Sequence, residues 1–393
     1  MTRILLVGPL SEGTDGGSLP PYLDVLTAAL RRVGAHVERI GSTGIPYDRD
    51  LDAIWSPSRL LLAAGTLADR IDALVATQPI DVIALHFGNL EIEQLLPVLW
   101  ARRNQSASWP AVVIHVHTLM PTLFADHHPD PSMQRAVHAA PAAADGLVYF
   151  GDYARQAFAS MVPADMPITV APLPTTIPPG TLPAQEGAVA DAVTNLSAYP
   201  GPLATLYGYA APWKAPRLLI EALSRIRRPL RVLLAGPLWD QPDLAGVRLP
   251  RPGHASVVGV SRLQIAPTYL APADRSLLVA SSTLAVFPYV AHRAFQGSGA
   301  IADYLAHAVP VVATDVANMA SLVSSAGDIV APEDPDRLAA ALNRYTNSEH
   351  LTRRASAAAD RANTFHPDTH AAACLALYAR AAARRRSKAR RWT

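Results

Sequence analysis

Cysteine is almost absent. Cys374 is the single thiol in 393 residues, which excludes an intramolecular disulfide and fits a reducing compartment. Long apolar runs are missing too. The opening "MTRILLVGPL" holds only about five consecutive apolar residues, short of a signal-peptide core, and no stretch approaches the roughly 18 residues of a membrane span. Nor does either sign of charge dominate, with Lys+Arg 34, Asp+Glu 32 and a net charge of +2. Arg384, Arg385, Arg386, Lys388, Arg390 and Arg391 together exceed that net charge, so the rest of the chain is acidic on balance. A body that binds nucleic acid is therefore not expected. The basic tail reads most simply as the solvated end of a helix, and contact with anionic lipid is the alternative. The expected location is cytoplasmic, with membrane association through the tail as a secondary expectation.

What is present is enough for sizeable cores, since 50% of residues are hydrophobic and 17% charged, an ordinary soluble composition. The length suits two domains. Apolar strand patterns alternate with helical ones nearly throughout. They fall near 3–8, 35–40, 80–86, 111–117, 145–150 and 168–172, then at "LATLYGY", "LRVLLAG", "ASVVGV", "TLAVFP", "VPVVAT" and "GDIVAP". This alternation predicts α/β architecture, with two doubly wound Rossmann-like domains facing a central cleft. The expected boundaries are 1–178 for the first domain, 179–200 for a proline-rich linker and 201–365 for the second domain. Residues 366–393 are expected to form a helix returning to the first domain, followed by the basic tail.

In such sheets ligands bind beyond the carboxyl ends of the strands, so the loops there were the candidates. The first, "GPLSEGTDGGSLP", offers Gly16 and Gly17 but lacks the G-x-G-x-x-G spacing of a dinucleotide fingerprint. In "VVIHVHTLMP", His115 and His117 fall two apart on a strand and so share one face. The nearby "ADHHPDP" adds Asp126, His127, His128 and Asp130, ligand types that zinc accepts, though in no compact metal motif. A strand-end histidine lining a cleft is the more economical reading. Lys214, in "YGYAAPWKAPRLLIEAL", lies between a strand and a helix with apolar positions Leu218, Leu219, Ala222 and Leu223. It can bind phosphate as a point charge. In "AFQGSGAIADYLAHAVPVVATD", Gly297, Ser298 and Gly299 precede a helix start through Ala300, where free amides attract anions and Ser298 is placed to cap.

Taken in order, "GYAAPWKAP", "LRVLLAGP", the Gly297 turn with "PVVATD", and "GDIVAPEDPDRLAAAL" resemble the nucleotide-sugar-binding domain of retaining GT-B glycosyltransferases of the family-4 type. That resemblance implies a GT-B fold and a transferase of the hexosyl or related class. The implied partner is a nucleotide-sugar donor, UDP- or GDP-linked, with no cofactor and no metal. Gly208, Pro212 and Lys214 fit the family's loop that puts lysine on the donor diphosphate. Asp303 falls where the family has a glutamate that touches the ribose, and Phe295 falls where it has one facing the transferred sugar. Tyr209 replaces a customary arginine, a charge that His292 and Arg293 would restore, and Gln296 joins the implied donor contacts. His117 matches a histidine beside the donor sugar, and "FGDYARQAF" is similar to the family's "S-E-x-x-R" helix start.

The implied catalytic pair is His117 and Lys214. The acceptor class stays open among small molecule, glycan and lipid. Three alternatives remain beside the transferase: a GT-B-fold nucleotide-sugar isomerase or epimerase, a non-catalytic nucleotide-sugar-binding protein, and a His-metal phosphohydrolase.

Overall fold

The computed structural model describes residues 1–9, 19–41, 57–87, 95–103, 109–117, 131–241, 247–292 and 295–390. The chain forms two α/β units, each built on its own sheet. The first comprises residues 1–172, 293–296 and 367–393, and the second residues 173–292 and 297–366.

The first sheet runs through β1 (Arg3–Val7), β2 (His36–Ile40), β3 (Val82–Phe87), β4 (Ala111–Val116), β5 (Gly146–Tyr149) and β6 (Ile168–Val170). Its order is β2-β1-β3-β4-β5-β6, and every pairing is parallel. Parallel strands covered on both faces need near-continuous apolar sequence. "AVVIHV" of β4 meets that demand and is buried at all positions. The helix Pro367–Arg390 belongs to this unit and packs on the helix Leu19–Arg32 and on β4, β5 and β6. Its approach is close, since a Cβ on Gly146 would lie 3.2 Å from the Ala381 Cβ.

The basic end of that helix is docked along at least part of its length. Arg384 is 10% exposed and bonds both Asp165 (3.0 Å) and the Ala144 carbonyl (3.3 Å). Arg385 and Lys388 approach Asp145, itself 1% exposed, at 4.0 and 3.8 Å. Arg384, Arg385 and Lys388 are thus committed to carboxylates of the first unit. This part of the tail departs from the expectation of a solvated helix end, because a buried carboxylate holds its counter-charges in place.

The second sheet contains β7 (Leu203–Tyr207), β8 (Arg231–Ala235), β9 (Ser256–Val258), β10 (Ser261–Ala266), β11 (Leu284–Phe287), β12 (Val311–Thr314) and β13 (Gly327–Val330). The order is β13-β12-β11-β7-β8-β10-β9, parallel except for β9 against β10. Where one strand was expected at "ASVVGV", the structure has a hairpin. Gly259, at φ 57°, takes the first central position of a two-residue turn, the place where a type II′ hairpin requires glycine. The segment expected as a linker is also partly helical, over Ala188–Ser197, with Val189, Ala192 and Leu196 buried against β8, β10 and the helix Pro272–Ser281. Those three side chains recur at helical spacing within an otherwise Pro-rich stretch.

Strand order reverses between β7 and β11, because β8, β10 and β9 lie on one side of β7 and β11, β12 and β13 on the other. The crevice at such a switch point is where doubly wound sheets bind ligands.

Candidate active site

Two loops leave the carboxyl ends of β7 and β11, on either side of the reversal. The β7 loop begins at Gly208 (φ 114°), which crosses the β8 loop at Gly236 (φ 136°). A Cβ on Gly236 would lie 2.2 Å from the Gly208 carbonyl oxygen, so no other residue fits this crossing. The indole Nε1 of Trp239 donates to the same carbonyl at 2.8 Å, and the Ala210 amide donates to the Pro237 carbonyl at 2.9 Å. The chain then makes a single 3₁₀ turn over Pro212–Lys214 and passes through Ala215 in the left-handed region (φ 45°) before the helix Pro216–Leu223.

This path folds Lys214 back over Gly208. Its Nζ stands 2.7 Å from where a Gly208 Cβ would be and 6.0 Å from the centre of the Trp239 ring. Among the described residues no carboxylate pairs with Lys214, and burial pulls its ammonium down to about 7. An ammonium disfavoured in this way gains most from an anion brought to it. Tyr209 beside it is half-buried.

The β11 loop is joined to the first by the Val290 amide, which donates to the Trp213 carbonyl at 2.9 Å. The Trp213 and His292 rings pack at 4.6 Å. Further on, Ser298 occupies the N-cap position of the helix Gly299–Ala306, but its side chain makes no capping bond. The Ile301 amide bonds back to the Ser298 carbonyl at 3.3 Å, which leaves the amides of Gly299 and Ala300 as first-turn donors. Gly297 is confined, since a Cβ there would lie 3.3 Å from Leu322 Cδ1, whereas one on Gly299 would meet only Leu173 Cδ1 at 3.6 Å.

Asp303, expected at the ribose, is enclosed by protein donors. It is 0% exposed and accepts from the Thr175 hydroxyl (2.7 Å), the Thr176 amide (2.6 Å), the Thr176 hydroxyl (3.0 Å) and the Tyr207 phenol. A carboxylate offers about four lone-pair sites, and protein donors fill them here.

In the first unit, His115 and His117 project on one side of β4 as expected, with rings 18° apart in orientation and 6.5 Å between centres. Their surroundings differ. His115 is sealed, and its Nε2 bonds the Tyr378 hydroxyl at 2.8 Å while its Nδ1 lies 3.3 Å from the Tyr22 hydroxyl. His117 is half-buried, with its Nε2 3.3 Å from Nδ1 of His86 and its ring edge-on to Tyr22. His370 donates from Nδ1 to the Pro172 carbonyl at 2.9 Å, so its Nε2 is the acceptor for Tyr22 at 3.0 Å. Burial lowers His117 to about 3 and His370 to about 4, and holds His86 and His115 well below the usual histidine range, so all four are neutral near pH 7.

His86 and His370 escaped the sequence reading. "IALHF" nevertheless places His86 in register with His115 on the adjacent parallel strand. His115, His370 and Cys374 bring their ligand atoms within 4.8 Å of one another, while a tetrahedral zinc with bonds of about 2.0–2.3 Å needs edges of roughly 3.3–3.8 Å. With its ring nitrogens already engaged, the cluster functions as a hydrogen-bonded network. Gln296 belongs to this unit as well, its Nε2 donating to the Val116 carbonyl at 2.5 Å. Gly16, Gly17, Arg293 and the group Asp126, His127, His128 and Asp130 lie outside the described residues.

Residues 202–348 match the family Glycosyl transferases group 1. This segment is a transferase domain. It contains Gly208, Lys214, the Gly297–Gly299 turn and Asp303. Solved structures share the fold over nearly the whole chain. Sucrose-phosphate synthase from Thermosynechococcus elongatus is 18% identical, with a TM-score of 0.69 over 96% of this chain and 98% of its own. Anabaena HepE, solved with UDP and glucose, is 17% identical, with a TM-score of 0.64 over 96% and 100%. The catalytic domain of starch synthase IV from Arabidopsis thaliana, bound to ADP and acarbose, is 12% identical, with a TM-score of 0.66 over 98% and 99%. These likenesses establish a GT-B architecture. No curated protein matches the chain in sequence. Among the described residues no helix is long and apolar enough to cross a membrane.

Proposed function

We propose that the protein transfers a sugar from a nucleoside diphosphate sugar to an acceptor hydroxyl, with retention of anomeric configuration and without a metal ion. The observation that carries this reading is the pairing of Lys214 over Gly208 with the Gly299 helix start, on loops that flank the strand reversal and are bonded through Val290 and Trp213. The glycosyl transferase match over 202–348 supports it. So do the nucleotides bound by the neighbours of the same fold, UDP in HepE and ADP in starch synthase IV.

The chemistry requires a place for charge. Cleavage of the bond between the anomeric carbon and the diphosphate oxygen leaves its electron pair on the diphosphate and positive character on the sugar ring. Lys214, protonated on contact with the diphosphate, and the first-turn amides of Gly299 and Ala300 stabilise that leaving group from fixed positions. Such preorganised donors are usually the largest single contribution to catalysis. The acceptor oxygen bonds the anomeric carbon, and its proton passes to the departing phosphate. His117 is assigned to the sugar by resemblance alone. Its Nε2 is engaged by His86, which leaves Nδ1 for a sugar hydroxyl. The donor is UDP- or GDP-linked in this reading, and the acceptor a small molecule, glycan or lipid.

A thermal-shift screen of UDP-, GDP- and ADP-linked sugars tests the proposal, because a ligand at 100 times its Kd adds about 2.7 kcal/mol. At least one donor should stabilise the protein and be turned over with release of its nucleoside diphosphate. Turnover should survive EDTA. No shift with any nucleotide sugar would overturn the reading, and activity lost to EDTA and restored by Mn²⁺ would overturn its metal independence.

A further inference from the structure

We propose that Asp303 is a positioning residue of the donor site, fixing the Gly297–Gly299 turn relative to Gly208 and Lys214 and making no contact with the nucleoside. The inference rests on the donor-site reading above and assigns this carboxylate a role other than the one the resemblance implies. Each acceptor position of Asp303 points at protein. Oδ1 takes the Thr175 hydroxyl and the Thr176 amide, and Oδ2 takes the Thr176 and Tyr207 hydroxyls. None remains for a ribose hydroxyl.

The donors are what give the carboxylate its leverage. Tyr207 is the last residue of β7 and directly precedes Gly208, over which Lys214 folds. Asp303 lies one turn into the helix whose first residues carry the free amides. One carboxylate therefore links the lysine half of the site to the amide half. Thr175 and Thr176 add a third element, the segment with which the chain enters the second unit at Leu173. Leu173 lies against Gly299, the Thr175 amide donates to the Phe365 carbonyl at 2.9 Å, and Arg275 holds the Thr176 carbonyl at 3.1 Å. The entering segment is thus braced from several sides, and Asp303 ties the helix to it. The sealed, fully bonded carboxylate holds its partners in one arrangement, as satisfied buried networks do.

Binding of pyrophosphate, UDP and GDP to the full chain separates positioning from ribose contact. Asp303→Asn and the milder Thr176→Val should weaken pyrophosphate and the preferred nucleotide by the same factor, about 2- to 30-fold, while Thr176→Ser restores wild-type affinity. A loss confined to the nucleotide, with pyrophosphate unchanged, would mean a ribose contact and overturn the proposal. Unchanged affinity for every probe in folded Asp303→Asn and Thr176→Val would equally overturn it, leaving a residue of stability alone. Wild-type protein that binds none of the probes would sink the donor-site reading and this inference with it, a result distinct from any variant-specific loss.

Discussion

The Val290 amide donates to the Trp213 carbonyl at 2.9 Å, which joins the loop that carries Lys214 to the loop that ends in the Gly299 helix. Two residues serving one diphosphate should be energetically coupled. Lys214→Ala should cost roughly 10²–10³ in turnover, the loss typical of one leaving-group donor. Gly299→Val should cost donor affinity by placing bulk before the free amides. Steady-state kinetics of the double variant should show much less than the two losses combined. Full additivity would mean that the loops act on different groups.

Lys214 also predicts a pH dependence. Only the ammonium binds the diphosphate, and in the free protein burial sets its pKa to about 7, while the bound anion raises it. Between those two values binding takes up a proton. The Kd of a nucleotide sugar, whose esterified diphosphate does not titrate in this range, should be flat below about pH 6.5 and rise toward tenfold per pH unit above about pH 7.5. Lys214→Arg, charged throughout, should flatten the profile in calorimetric titrations across that range. A wild-type Kd that stays constant up to pH 9 would show an ammonium unperturbed by its site.

The histidine network should make the first unit acid-sensitive. His117 and His370 have folded pKa values of about 3 and about 4, below the roughly 6.5 of an unfolded chain. From pH 6.5 downward the unfolded state therefore binds more protons than the folded one. Stability is fully present above pH 6.5 and falls as pH drops toward the folded values, by on the order of 1 kcal/mol per pH unit for each such histidine. Urea unfolding at pH 7, 6 and 5 measures the slope. His370→Gln should reduce it, although the variant starts from lower stability.

A third electrostatic prediction concerns the end of the C-terminal helix. Truncation after Ala383 removes Arg384, Arg385 and Lys388 and leaves Asp145, already raised in pKa by burial, without its cations. Breaking a buried charge cluster on one side is costly, about 3–5 kcal/mol where it is fully desolvated, and the partial exposure of these cations places the expected loss below that. Asp145→Asn should recover part of it, because the stranded charge is gone. A melting temperature unaffected by the truncation would return the tail to the status of a solvated end.

How much of this could be read beforehand follows from the range of the interactions. Strands such as "LATLYGY" and "VPVVAT" declare themselves through continuous apolar runs, and Lys214 through its place between a strand and a helix. The hairpin at Gly259 was hidden because "ASVVGV" and "SRLQIA" look like separate pieces until glycine is given its turn conformation. The helix 188–197 was masked by the prolines around it. For Asp303 the position was legible but the surroundings were not. Thr175 and Thr176 precede it by 128 and 127 residues, and local pattern carries no information about donors brought together at that separation. The same holds for Tyr22, His115 and His370, which span three distant segments.

The placement of Lys214 over Gly208 supports one more prediction. Gly208 sits at φ 114°, and a Cβ there would lie 2.7 Å from the lysine Nζ. Gly208→Ala therefore imposes backbone strain, on the order of 1–2 kcal/mol for a left-handed residue, and also pushes on the ammonium. The lysine is the flexible partner and should move first. The variant should remain folded, with its unfolding midpoint lowered, while its affinity for a nucleoside diphosphate falls as if Lys214 were missing. In the Lys214→Ala background the same change should cost stability but little further affinity, because the displaced group is already gone. Calorimetry on the four proteins measures both effects. If Gly208→Ala lowers affinity equally with and without the lysine, the glycine acts on the ligand through its own backbone and not through Lys214.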